Sequence, residues 1–174
     1  MKLLNEKPLD KITIKDIVED CGINRNTFYY HFDDIPDLVE QILREETEKV
    51  LLQHADVASW EEGFISAAQF ALSNKRAVYH IYNSVSREQF ERYLNRIAQD
   101  VMERFVRGLA ADIPAGDADR ALVVNFYRAA LVGMVLDWMN SGMRQEPEGT
   151  IRRLGMLLEG SVRQCLERSA ASQR

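Results

Sequence analysis

The stretch ITIKDIVEDCGINRNTFYYHF, Ile12 to Phe32, decides the fold of this chain. Thr13 followed three residues later by Asp16 is a capping-box-like start, and Gly22 after Cys21 is a stop, so a helix of about two turns is expected between them. Asn24 caps a second short helix, Arg25 to Phe32. Ile14, Ile17, Val18 and Ile23 are expected inward, with Phe28 and Phe32 on one face of the second helix. Two short helices joined by a glycine turn make a helix-turn-helix. The outward residues Arg25, Asn26, Thr27, Tyr29, Tyr30 and His31 are hydrogen-bond donors, most of them clustered on the face that such a helix turns to a major groove. A pair of ordinary core helices would pack its inner residues equally well. It would give no reason for Tyr29, Tyr30 and His31 to stand together and outward.

Outside this stretch the four prolines, Pro8, Pro36, Pro114 and Pro147, leave residues 37–113 and 115–146 free of helix breakers. Apolar residues there recur three and four apart, as in Leu38, Ile42, Val50 and Phe90, Leu94, Ile97, Val101, Phe105. No alternating strand pattern lies between turn signals, so the fold class is all-α. Asp33-Asp34 and then Pro36 in a first turn start a long helix through about His54. Further helices are expected over Ser59–Asn74, Arg76–Val85, Ser86–Ala111, Ala118–Ser141 and Glu148–Ala170. Asp112 to Asp117 forms the clearest loop.

The chain has 174 residues, 46% hydrophobic and 28% charged. That length buries roughly 70% of the unfolded surface in an ordinary core. Uncharged apolar runs fall short of a membrane span and the first residues are too few for a signal peptide, so the expectation is a cytoplasmic protein with no membrane partner. Cys21 and Cys165 lie far apart, show no metal-ligand spacing and read as small core residues. Glycine-rich phosphate loops, HExxH and G-x-S-x-G are absent, and His31, His54 and His80 share no ligand spacing with the cysteines. No enzyme, metal or cofactor is expected. The formal net charge of −5 argues against a broadly basic nucleic-acid binder. DNA binding must therefore be local.

The residues DCGINRNTFYYHFDDIPDLVEQIL resemble the DNA-binding signature of the TetR family of bacterial transcriptional regulators. The likeness covers the turn glycine, the Thr-aromatic-Tyr-Tyr-His-Phe core of the recognition helix, and the acidic-hydrophobic start of the following helix. It implies that Thr27, Tyr29, Tyr30 and His31 contact phosphates or base edges, with Arg25 and Asn26 at the helix entry. It also implies that Thr13 anchors a phosphate through its hydroxyl and amide. Three features depart from the family pattern. Asp33-Asp34-Ile35 stand where many members have a phosphate-gripping lysine. Residues 1–36 carry five basic and seven acidic side chains, a net −2. The first helix is short, so part of the natural N-terminus is expected to be missing.

The resemblance divides the chain into a helix-turn-helix DNA-binding domain, residues 1–48, and a helical ligand-binding and dimerisation domain, residues 49–174. The segment AALVGMVLDWMNSGM is also similar to the C-terminal domain of a TetR subset that includes a regulator of dihydroxyacetone kinase genes. Ala121 to Met139 is apolar on nearly all sides, which calls for burial on two faces, one against the core and one against a partner. In the last helix, Leu154, Leu158 and Val162 are candidates for a homodimer interface, and Gly155, Gly160 and Ser161 would admit a close helix. Phe64, Tyr79, Phe105, Tyr127 and Trp138 are candidates to line a site for a small apolar or amphipathic effector, although such a stripe also serves as plain core. Arg128 and Asn125 interrupt an apolar helix, and a buried charge needs a partner. The expected function is a homodimeric transcriptional regulator that binds a double-stranded operator and is switched by an effector. The alternative is a helical interaction module that has lost direct DNA binding.

Overall fold

The computed structural model describes residues 2–53, 60–84 and 87–172. Ten α-helices run among these residues: α1 Lys2–Glu6, α2 Ile14–Cys21, α3 Arg25–His31, α4 Ile35–Gln53, α5 Trp60–Ser73, α6 Lys75–Tyr82, α7 Arg87–Leu109, α8 Asp117–Asn140, α9 Pro147–Leu157 and α10 Ser161–Ser172. All regular structure among the described residues is helical, as the sequence predicts. The expected helix end at His54, the start at Ser59 and the junction at Val85 and Ser86 lie outside the described residues.

The chain forms two compact units, and neither is a single run of sequence. The first takes residues 1–49 and 69–93, the second residues 50–68 and 94–174. Division near residue 48 therefore assigns residues 69–93 differently from their contacts. The reason lies in α1, which packs on α6. There the Asn5 side chain accepts from the Ala77 amide at 3.3 Å, and His80 Nδ1 donates to the Leu4 carbonyl at 2.7 Å. Leu4, Ala77, Val78, Ile81 and Tyr82 are buried in this unit. The Tyr93 hydroxyl donates to the Leu43 carbonyl, and burial pushes this phenol above its ordinary pKa.

In the second unit Trp60 and Ile65 of α5, Met102 and Val106 of α7, Val124 and Leu131 of α8, Ile151 of α9 and Val162 and Leu166 of α10 form one core. The buried Ser169 hydroxyl joins α10 to the start of α8, accepting from the Gly116 amide at 3.2 Å and donating to Asp119 at 2.5 Å. Glu61 and Glu62 of α5 both meet α9. Glu62 pairs with Arg152 at 2.9 Å, and the Glu61 carboxylate fills the space that a Cβ at Gly155 would occupy. The close approach admitted by Gly155 is therefore made within this unit, by α5. Both cysteines are exposed, contrary to the core role expected of them, and Ile23 is also exposed.

The expected helix Glu148–Ala170 is two helices. The Glu146 side chain caps the Glu148 and Gly149 amides and Pro147 occupies the first turn, so α9 begins as expected. It ends at Leu157, because Gly160 has a φ of 73°, in the left-handed region. Ser161 secures the break, donating to the Leu158 carbonyl at 2.5 Å and meeting the Tyr127 hydroxyl at 2.7 Å. The sign of one substitution distinguishes the two arrangements. Gly160→Ala should destabilise the chain by about 1–2 kcal/mol through left-handed strain, whereas an unbroken helix would gain about 1 kcal/mol. Denaturant unfolding reads the difference directly.

Candidate nucleic-acid interface

Geometry at the turn between α2 and α3 follows from its caps. The Thr13 amide and hydroxyl both donate to Asp16 Oδ2, at 2.8 and 2.7 Å, and the Asp16 amide donates back to Thr13 Oγ1 at 3.2 Å. Gly22 sits at φ 67° and ψ 28°, with its amide on Glu19 and the Ile23 amide on the Val18 carbonyl at 2.9 Å. This paired closure of a helix end requires a left-handed residue, which glycine supplies without a Cβ penalty. Asn24 then caps α3, its Oδ1 accepting from the Thr27 amide at 2.9 Å and the Thr27 hydroxyl at 3.2 Å.

Phe28 orients α3. It is 1% exposed and lies 5.5 Å, ring to ring, from Phe32, so the helix is held by one side. Tyr29 at 57% exposure and Tyr30 at 83% are left to solvent, together with Arg25, Asn26 and His31. The Tyr30 and His31 rings meet edge to face at 4.9 Å. Such exposure of large aromatics has no packing benefit, and each brings a polar group that can reach a base edge or phosphate. Thr27 is only half-exposed and its hydroxyl is engaged by Asn24. Thr13 is exposed, yet both its donors are engaged by Asp16. A phosphate anchored at Thr13 would have to displace that carboxylate.

Charge in this segment is organised in pairs. Lys2 pairs with Asp20, Lys7 with Asp16 at 2.9 Å, Lys11 with Asp10 at 3.7 Å and Lys15 with Glu19 at 3.7 Å. Arg25 forms no ion pair among the described residues. Asp33 and Asp34, which stand where the family pattern often has lysine, build the start of α4. Asp34 accepts from the Asp37 amide at 2.8 Å, and Asp37 accepts from the Asp33 amide at 3.0 Å. Their charge suits a helix N-terminus. The segment is acidic overall but presents its one unpaired guanidinium beside the exposed tyrosines.

The other candidate residues are distributed unevenly. Phe64, Phe105 and Tyr127 pack against the core of the second unit, Tyr79 belongs to the first unit, and the Trp138 indole donates to the Gln145 carbonyl at 2.8 Å, closing the turn after α8. Val162, expected at an interface, is 5% exposed and lies in the core of its own unit; Leu154 packs on that core as well. Read as one unbroken helix, the steps of three and four through 151, 154, 158 and 162 look like a stripe for a partner. With the break at Gly160, Ile151 and Leu154 are the inward side of α9 and Val162 is in the first turn of α10, while Leu158 caps α9. Among the described residues of the second unit, the exposed large apolar side chains are Met156 and Leu157 on α9, and Leu122, Phe126 and Met134 on α8. Leu122 and Phe126 were legible as an i,i+4 pair off the Val124 and Leu131 face; Met156 and Leu157 were hidden by the missed break. By length and composition alone α8 could cross a membrane, and only 22% of its apolar window is buried. Counting uncharged runs overlooks this, because Arg128 and Asp137 interrupt them.

Comparison with known proteins follows the same division. Residues 1–42 match the model of bacterial regulatory proteins of the tetR family, and residues 58–160 match a transcriptional regulator C-terminal region of that family. No curated protein matches the chain. Among solved structures, a dihydroxyacetone kinase operon activator, DhaS, has a similar fold, with a TM-score of 0.74 and 16% identity, covering 92% of this chain and 90% of its own.

Asp16 offers a check on the turn. The Thr13 hydroxyl and then Lys7 hold its carboxyl well below the ordinary 3.8, at about 2. Because the folded value is depressed, the stabilisation is complete above the ordinary value and is lost as pH falls through about 2. Carboxyl-carbon NMR should show Asp16 titrating near 2, moving upward in Thr13→Ala. An ordinary value in the wild type would mean that the capping box does not persist in solution.

Proposed function

The chain belongs to the TetR family of bacterial regulatory proteins and is a DNA-binding transcriptional regulator; from that premise we propose that it acts as a cytoplasmic homodimer, without enzymatic activity, switched by a small effector. The observation that carries the DNA-reading surface is the exposure of Tyr29, Tyr30 and His31 beside Arg25, on a helix anchored from behind by Phe28. Arg25 enters with Asn26 at the helix start, where a guanidinium reaches a guanine edge or a phosphate. The tyrosine hydroxyls and the imidazole hold the register on the backbone and read the adjacent bases. Thr27 takes part through its half-exposed side chain, and Thr13 only if Asp16 yields.

Four paired lysines make this interface weakly attractive at long range, so affinity depends on few phosphate contacts and on fit in the groove. An operator obtained by selection from random duplexes tests the reading. Tyr30→Ala or His31→Ala should weaken binding to it roughly ten- to hundredfold, in the range of about 1–3 kcal/mol, without changing the fold. If Arg25 grips a phosphate, Arg25→Ala should reduce the salt slope by about 1 for each half-site. Unchanged affinity in all three variants would reject this face of α3 as the reading surface, whereas failure to select any operator would favour the rival reading, a co-regulator that does not touch DNA.

Two recognition helices must be held about 34–36 Å apart, or a multiple of it, to read two half-sites, which requires a dimer. The interface we propose is the outward face of α8 with α9: Leu122, Phe126 and Met134 with Met156 and Leu157. These residues replace Leu154 and Val162, which serve the core. Leu158 is half-buried and caps the end of α9. Phe126 is 68% exposed, so Phe126→Glu should leave folding intact and yield monomers in sedimentation equilibrium at micromolar concentration. Leu158→Glu should instead lower the unfolding midpoint. A Phe126→Glu variant that remains dimeric would exclude this face.

A further inference from the structure

The ion pairs of the DNA-binding segment are not alike. Lys11 with Asp10 and Lys15 with Glu19 are exposed and 3.7 Å apart, so water or a phosphate separates them at little cost. Lys2 and Asp20 are exposed as well. Lys7 and Asp16 are half-buried and meet at 2.9 Å through Asp16 Oδ2. The same oxygen accepts from the Thr13 amide at 2.8 Å and from the Thr13 hydroxyl at 2.7 Å. An ammonium, an amide and a hydroxyl thus converge on one carboxylate oxygen.

Lysines, hydroxyls and main-chain amides are also the groups with which proteins hold the phosphates of a duplex. Their position here is suitable, because the first helix of a helix-turn-helix crosses the DNA backbone and Thr13 stands exposed at the start of α2. A phosphate arriving at this point finds its donors taken, and by a group of its own sign. The carboxyl titrates at about 2, so that charge is present at any pH near neutrality.

We propose that Asp16 is an internal competitor of the DNA backbone: by holding Thr13 and Lys7 it lowers affinity for duplexes of every sequence, and Lys7 is a phosphate contact that the wild type leaves unused. This rests on the reading of the turn between α2 and α3 as the side that meets DNA. Phosphate contacts carry no base information, so the restraint falls on operator and random duplex alike and leaves recognition to the groove. If Asp16 were a helix cap and nothing more, its loss would change stability and not salt dependence.

Neutral replacements separate the two roles. Asp16→Asn and Asp16→Gln remove the charge but keep a side-chain oxygen, and Gln serves in a capping box; Asp16→Glu keeps both the charge and the box. Fluorescence anisotropy over a salt series reads binding to the selected operator and to a random duplex of equal length. The neutral variants should bind both about three- to tenfold more tightly at low salt, with a slope steeper by about 1 for each half-site. Adding Lys7→Met to Asp16→Asn should restore the wild-type slope, whereas Lys7→Met alone should leave it unchanged. Asp16→Glu should match the wild type. Asp10→Asn, which removes the same charge from an exposed pair, should not steepen the slope. An unchanged slope in a folded neutral variant, an equal gain in Asp10→Asn, or a shallower slope in Lys7→Met alone overturns the assignment. The last of these decides the matter even where the neutral variants do not fold. Tighter binding by Asp16→Asn alongside unchanged affinity in Tyr30→Ala and His31→Ala would reject the α3 face and leave the role of Asp16; the opposite pattern would do the reverse.

Discussion

The surface proposed to read DNA depends on one packing constraint, the burial of Phe28 behind α3. A seven-residue helix has too few internal hydrogen bonds to stand alone. Its orientation comes from Phe28 inside, Asn24 at its start and the left-handed Gly22 that turns the chain out of α2. With these three in place, Tyr29, Tyr30 and His31 have only the outside to occupy. A residue with a Cβ at position 22 would strain the turn, and a small residue at 28 would leave the helix without its hold on the domain.

Local pairing reconciles an acidic chain with a polyanionic partner. Each lysine of the first 36 residues has its own carboxylate, and the carboxylates of Asp34 and Asp37 accept backbone amides at the start of α4. These contacts stabilise helix ends and hold the turn, so the charge balance of the segment describes its folding more than its surface towards DNA. Association steered by long-range attraction is correspondingly weak, and specificity rests on contacts made after docking.

α8 serves two opposite requirements. Its inward stripe completes a core, while Leu122, Phe126 and Met134 face outward over a helix that is apolar enough to resemble a membrane span. Arg128 lies on the inward side, half-buried, and donates Nη1 to the neutral Asn95.

The sequence by itself determined the all-α class, the helix-turn-helix and its outward donors, and the two-faced character of residues 121–139. These follow from short-range chemistry: caps, a glycine stop and apolar spacing act within a few residues and leave their pattern in the chain. It did not disclose the break at Gly160, because glycine is compatible with both a tolerated helix interior and a left-handed turn, and Ser161 secures the turn through Tyr127, 34 residues away. Reading through that break assigned Leu154 and Val162, which serve the core of their own unit, to a partner. The engagement of Thr13 by Asp16, the joining of residues 69–93 to the first unit through Leu4 and Asn5, and the neutral partner of Arg128 were likewise decided in three dimensions. Residue spacing records which side of a helix is apolar. Which neighbour covers that side, and whether a charge meets an acid or an amide there, depends on segments that only the tertiary fold brings together.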